Sequence, residues 1–86
     1  MIRLYVRHRV HDYDLWRRSH DQTGVEMRPD SGVVASGVHR SLDDPDEVTV
    51  WRDFETEAEA RTFAERSLRP EASDETPQVW ITRDAT

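Results

Sequence analysis

Over residues 2–10 apolar and polar side chains alternate with period two. Ile2, Leu4, Val6 and Val10 alternate with Arg3, Tyr5, Arg7 and Arg9. The pattern predicts a strand with one apolar face, and His8 falls on that face. Next, Tyr13, Trp16, His20 and Met27 fall near helical spacing on one stripe, with Arg17, Arg18, Asp21 and Gln22 mostly elsewhere. With Asp12 as cap and Asp14 in the first turn, this predicts a helix from about 12 to about 27, ended before Pro29. Residues 33–41 return to period two, Val34, Ser36 and Val38 against Ala35, Gly37 and His39. The Asp43–Asp46 cluster, which contains Pro45, predicts a turn. A third strand follows over 47–54, with Val48, Val50 and Phe54 against Thr49, Trp51 and Asp53. The short link between these two strands predicts a hairpin. Thr56 and Glu59 have the spacing of a capping box. They open a helix that runs to about Ser67, with Ala60, Phe63, Ala64 and Leu68 on its buried stripe and Pro70 as its stop. Residues 69–77 form a polar loop. Val79 and Ile81, alternating with Trp80 and Thr82, make a short last strand.

The order β-α-β-β-α-β predicts an α+β, ferredoxin-like domain over residues 1–86: a four-stranded antiparallel sheet with both helices on one face. Parity then divides the strand residues between two faces. Ile2, Leu4, Val6, Val34, Val38, Val48, Val50, Phe54, Val79 and Ile81 belong under the helices. The opposite set holds Tyr5, Arg7, Arg9, His39, Thr49, Trp51, Asp53 and Trp80. Two Trp and one Tyr on an uncovered face mark an interface or a ligand surface. The economical arrangement is a homodimer with two sheets facing each other across a partly polar lumen.

Composition narrows the chemistry. In 86 residues charged side chains make up 35%, as do apolar ones, so the core is small and self-association is favoured. There is no cysteine, which removes thiolate catalysis and cysteine-ligated metal clusters. All 12 basic residues are Arg, so Schiff-base lysine chemistry and a P-loop are excluded. A net charge of −6 argues against nucleic acid as a partner. No apolar run is long enough to span a membrane, and a soluble cytoplasmic protein is expected. The glycines at 24, 32 and 37 make no phosphate-binding loop.

Several stretches resemble the dimeric α/β-barrel superfamily, and within it small bacterial proteins of the antibiotic biosynthesis monooxygenase or cyclase-like group. They are Val6–Val10 leading into Asp12–Trp16, then Asp43–Pro45 with Val48–Phe54, and Glu59–Ala64. The resemblance covers most of residues 2–68. It implies a lumen-facing Trp on the third strand, here Trp51, and activities that range over oxygenases, cyclases, isomerases and haem degradation. His20 stands where similar proteins usually carry an aromatic residue, and the 68–76 segment is shorter and more acidic than theirs. Ala58–Ser67 contains no histidine, which ranks haem degradation low.

On this basis Trp51, Trp80 and Tyr5 are the expected lumen walls, or alternatively the packed core of the dimer. His39 on the same face is the expected proton carrier. Arg7 is the expected anion stabiliser. Asp53 either contacts substrate or pairs with an arginine across the dimer. His8 and His20 belong on the helix-covered side, yet a register shift of one residue would turn His8 into the lumen, which keeps it as a second acid/base candidate. No spacing supplies three convergent metal ligands, and no cofactor is expected. The reading is a cofactor-independent cyclase- or monooxygenase-like enzyme acting on an aromatic, polyketide-type metabolite. Its alternative is a non-catalytic ligand-binding or dimerisation module with a side-chain-filled lumen.

Overall fold

A computed structural model describes residues 1–23, 31–67 and 77–85. The elements are β1 (Ile2–Arg9), α1 (Tyr13–Thr23), β2 (Ala35–Arg40), β3 (Glu47–Phe54), α2 (Glu57–Ser67) and β4 (Gln78–Arg83). The sheet order is β2-β3-β1-β4, with every neighbouring pair antiparallel. This is the βαββαβ ferredoxin-like topology expected from the sequence. Met27, Leu68 and residues 69–76 lie outside the described residues.

Register fixes the two faces. Ile2 lies opposite Phe54, Leu4 opposite Arg52, Val6 opposite Val50 and His8 opposite Val48. These positions face the helices. Ile2, Leu4 and Phe54 form a core with Ala60 and Phe63 of α2, and Val33, Ala64 and Ile81 pack against it. The Phe54 and Phe63 rings sit 5.5 Å apart. Burying such a ring relative to leaving it exposed contributes roughly 1.5–3 kcal/mol.

Both helices begin as their caps dictate. Asp12 Oδ1 accepts from the Leu15 N–H at 3.1 Å, and Thr56 Oγ1 from the Glu59 N–H at 3.2 Å. The β2–β3 turn is closed by side chains: Ser41 Oγ accepts from the Asp43 and Asp44 N–H groups, and Asp44 Oδ1 from Asp46 N–H. Gly32, just before β2, has φ +79°, a conformation that side-chain-bearing residues adopt rarely.

Two expectations about the covered face need correction. Val34 and Val79 are 51% and 46% exposed, not buried. The reason is coverage: α2 packs on the central strands β1 and β3, and the 11-residue helices leave the sheet edges open. Conversely, Arg52 is buried at 5% exposure on the helix side, its guanidinium 4.9 Å from the centre of the Phe63 ring. Alternation alone assigns it there, between Val50 and Phe54.

Candidate functional site: the open face of the sheet

The face away from the helices has a row that crosses all four strands. Gly37 lies opposite Trp51, Trp51 opposite Tyr5, and Tyr5 opposite Trp80. Tyr5 and Trp80 stack with centroids 5.0 Å apart and planes 8° from parallel. Trp51 lies flat over the glycine. A Cβ at Gly37 would stand 2.6 Å from Trp51 Cε2 and Nε1, closer than carbon atoms can approach. Glycine in mid-strand is therefore what lets the indole lie down on the sheet.

The row Ala35–Asp53–Arg3–Thr82 flanks one side of these rings. Arg3 donates from Nε to Asp53 Oδ1 at 2.7 Å and from Nη2 to Asp53 Oδ2 at 3.0 Å. Its guanidinium also stacks 4.1 Å from the centre of the Trp51 ring. The Arg3 hydrogen bonds hold the Asp53 carboxyl below its ordinary range, against the opposing effect of its burial. The guanidinium is raised in turn, first by Asp53 and then by Tyr5. On the other flank runs the row His39–Thr49–Arg7–Gln78. Arg7 donates from Nε to Glu47 Oε1 at 2.7 Å. Arg9 pairs with Asp44 of the turn.

The structure thus brings Tyr5, Trp51, Trp80 and Asp53 together, with Arg7 and His39 one row away. His39 is exposed on the edge strand β2. Register settles two open alternatives, and His8 keeps the side that parity gave it. Asp53 pairs with Arg3 of its own chain, so it needs no arginine from across a dimer. His8 is on the helix side, opposite Val48, and does not share a face with Tyr5 or Trp51. Its ring packs edge-on to Trp16 at 5.6 Å, and Trp16 stacks on His20 at 5.0 Å. Burial, and then the charge of His20, push the His8 pKa down. Two residues the sequence reading passed over complete the site: Arg3, which clamps Trp51, and Gly37, which seats it. Parity and register point to both, since Asp53 pairs with Arg3 in the same antiparallel register that pairs Tyr5 with Trp51.

A groove of about 310 Å³ between α2 and β4 is lined by Arg61, Ala64, Glu65, Val79, Trp80 and Ile81. It includes neither Tyr5 nor Trp51. Among the described residues no three His, Asp or Glu side chains converge as metal ligands, and no helix is long and apolar enough to cross a membrane.

With the sheet order and both faces assigned, the whole chain superposes on several solved structures. One is a candidate antibiotic biosynthesis monooxygenase from Bordetella bronchiseptica, with 23% identity, TM-score 0.75, and coverage of 99% of this chain and 97% of that one. The chain has the fold of the antibiotic biosynthesis monooxygenases. A second such monooxygenase candidate, from Deinococcus radiodurans, matches with 9% identity and TM-score 0.73 over 100% of this chain and 94% of that one. A conserved protein from Methanosarcina mazei Go1 matches with 17% identity and TM-score 0.71, over 98% and 92% of the two chains. At these identities the monooxygenase-like likeness is one of fold. No protein-family model and no curated protein matches the sequence.

Proposed function

We propose that two copies of this chain associate open sheet to open sheet and hold an aromatic small molecule between them for cofactor-independent cyclase- or monooxygenase-like chemistry. The single observation that carries this reading is the uncovered row of Trp51, Tyr5 and Trp80, set in a fold shared with monooxygenase candidates. Aromatic rings on a sheet face with no helix over it are the side chains that seek a partner or a planar ligand.

The residues take these roles. Trp51, Tyr5 and Trp80 form apolar walls that orient a ring and exclude water. His39, one row from Trp51, removes a proton from an acidic C–H or phenolic O–H of the substrate, which is the step that cyclisation and oxygenation of such molecules have in common. The oxygen of the resulting enolate or phenolate faces the β1 arginines. Arg3 uses Nε and Nη2 on Asp53, and its guanidinium, stacked on Trp51, sets positive charge beside an oxygen whose negative charge grows in the transition state. Arg7 offers a similar donor at the neighbouring row.

A second reading is favoured by one observation: the rings already satisfy one another, Tyr5 on Trp80 and Arg3 on Trp51. Such a face also suits a packed, non-catalytic dimer. Native mass spectrometry of the purified protein separates the readings. A dimer that retains a small molecule, lost on Trp51→Ala, supports the binding lumen. An empty dimer that takes up no aromatic compound establishes the packed interface. A stable monomer overturns both.

A further inference from the structure

Among the described residues, five strand positions on the open face carry a full charge: Arg3, Arg7 and Arg9 of β1, and Glu47 and Asp53 of β3. The open-face positions of β2 and β4 are Ala35, Gly37, His39, Gln78, Trp80 and Thr82. Every one of the five charges is closed into a pair within the chain. Arg3 meets Asp53, Arg7 meets Glu47, and Arg9 meets Asp44 of the adjoining turn. Register builds this in. Asp53 lies directly opposite Arg3, and Glu47 lies diagonally across from Arg7. No second copy is needed to neutralise the face.

We infer that this face selects a neutral, planar aromatic ligand and rejects aromatic carboxylates and phosphates, despite its three arginines. The inference rests on the lumen reading given above and names its substrate class. An anion laid on Trp51 would feel the Arg3 guanidinium, but the Asp53 carboxylate 2.7 Å from that guanidinium cancels most of the attraction. To form its own ion pair the anion must displace a carboxylate and leave it uncompensated between two sheets, which is costly. A cationic ring fares no better. One face of Trp51 is already taken by Arg3, and neither Glu47 nor Asp53 is without a partner. A neutral ring gives up little hydration and gains apolar contact along the aromatic row. Because all three arginines are neutralised within the chain, an arginine-rich face remains compatible with an uncharged ligand.

The three tryptophans make the test self-controlled, because Trp51 and Trp80 are on the open face and Trp16 is on the helix side. The indole N–H signals of the full chain are followed by NMR while 2-naphthol, 2-naphthoate or 2-naphthylmethylammonium is added at neutral pH. The expected result is that 2-naphthol moves Trp51 and Trp80 but not Trp16, and binds about ten-fold or more tighter than either ion. In Asp53→Asn and in Glu47→Gln, naphthoate affinity rises about ten-fold, and in Glu47→Gln that of 2-naphthol stays within about two-fold. If either variant fails to fold, the other carries the test. Naphthoate or the ammonium ion binding the unmodified protein as tightly as 2-naphthol, with the same tryptophan shifts, overturns neutral selection and leaves the lumen reading standing. If no probe moves Trp51 or Trp80, the lumen reading itself is overturned, and the inference goes with it.

Discussion

Gly37 controls the shape of the open face more than any side chain on it does. Ring atoms of Trp51 stand where its Cβ would be, so any other residue must lift the indole from the sheet. A lifted indole also leaves the Arg3 guanidinium that now stacks on it. Gly37→Val is expected to destabilise the fold by about 1–2 kcal/mol. Overpacking outweighs valine's better strand propensity. The near-ultraviolet circular dichroism of Trp51 should change as well, since its ring loses its fixed setting. An unchanged spectrum and melting temperature would show that Trp51 does not rest on Gly37. At this scale alternation was legible and charge pairing was not. Tyr5, Trp51 and Trp80 fall on one face by counting alone. Arg52 follows the same count to the buried face, but a charge there contradicts the usual rule, and its place beside the Phe63 ring is a tertiary contact that counting does not reveal. The partner of Asp53 depends on strand register, a non-local property that no single segment encodes.

Between elements, the contact of α1 with β1 is made by rings: His8 against Trp16, and Trp16 against His20. His8 is half-buried, and its Nδ1 has no hydrogen-bond partner among the described residues. Its pKa lies below that of the unfolded chain, through burial first and the charge of His20 second. The unfolded state therefore takes up the proton first as pH falls. Stability from this group is complete above about pH 6.5, the unfolded value, and is lost as pH falls through the lowered folded value. Asp53 and Glu57 are shifted down from carboxylate values and lose their contribution only at lower pH. Thermal melts from pH 7 to pH 5 should show the native protein weakening, with each kcal/mol lost lowering the midpoint by about 4–8 °C. His8→Phe keeps the edge contact with Trp16 and removes both the proton and the orphaned nitrogen. It should melt no lower at pH 7 and show a flatter pH dependence. An equally steep loss in the variant would assign the acid sensitivity to another group. Periodicity placed β3 at its observed bounds and His8 on its observed side. The exposure of Val34 and Val79 was not legible, because strand order decides which strands lie at the edges.

The dimensions of the whole molecule, 33 × 28 × 19 Å, leave room for a sheet and one layer of helices along the shortest axis. Among the described residues no helix covers the second face of the sheet, and Trp80 is 40% exposed at one end of the aromatic row. In the proposed dimer a second copy of the same face closes the lumen by a two-fold operation, which brings like residues near each other across the axis. Because Arg3, Arg7 and Arg9 are each neutralised within the chain, that association should rest on ring burial and not on ion pairs between subunits. Two outcomes follow for sedimentation velocity. The native chain should sediment as a dimer whose dissociation is nearly insensitive to salt between 0.05 and 0.5 M, about the range over which screening would weaken exposed intersubunit ion pairs. Trp80→Arg should sediment as a monomer, since it places an unpaired charge in each copy of the face and removes the stacking partner of Tyr5. Its far-ultraviolet circular dichroism should be unchanged, because Leu4, Val48 and Phe54, the fully buried side chains, are on the other face. A dimer that dissociates with rising salt would mean that at least one of the three arginines exchanges its partner for one in the second copy. In that case the face is not self-neutralised in the assembly, and both the packing and the expected preference for uncharged ligands would have to be rebuilt around that exchanged pair.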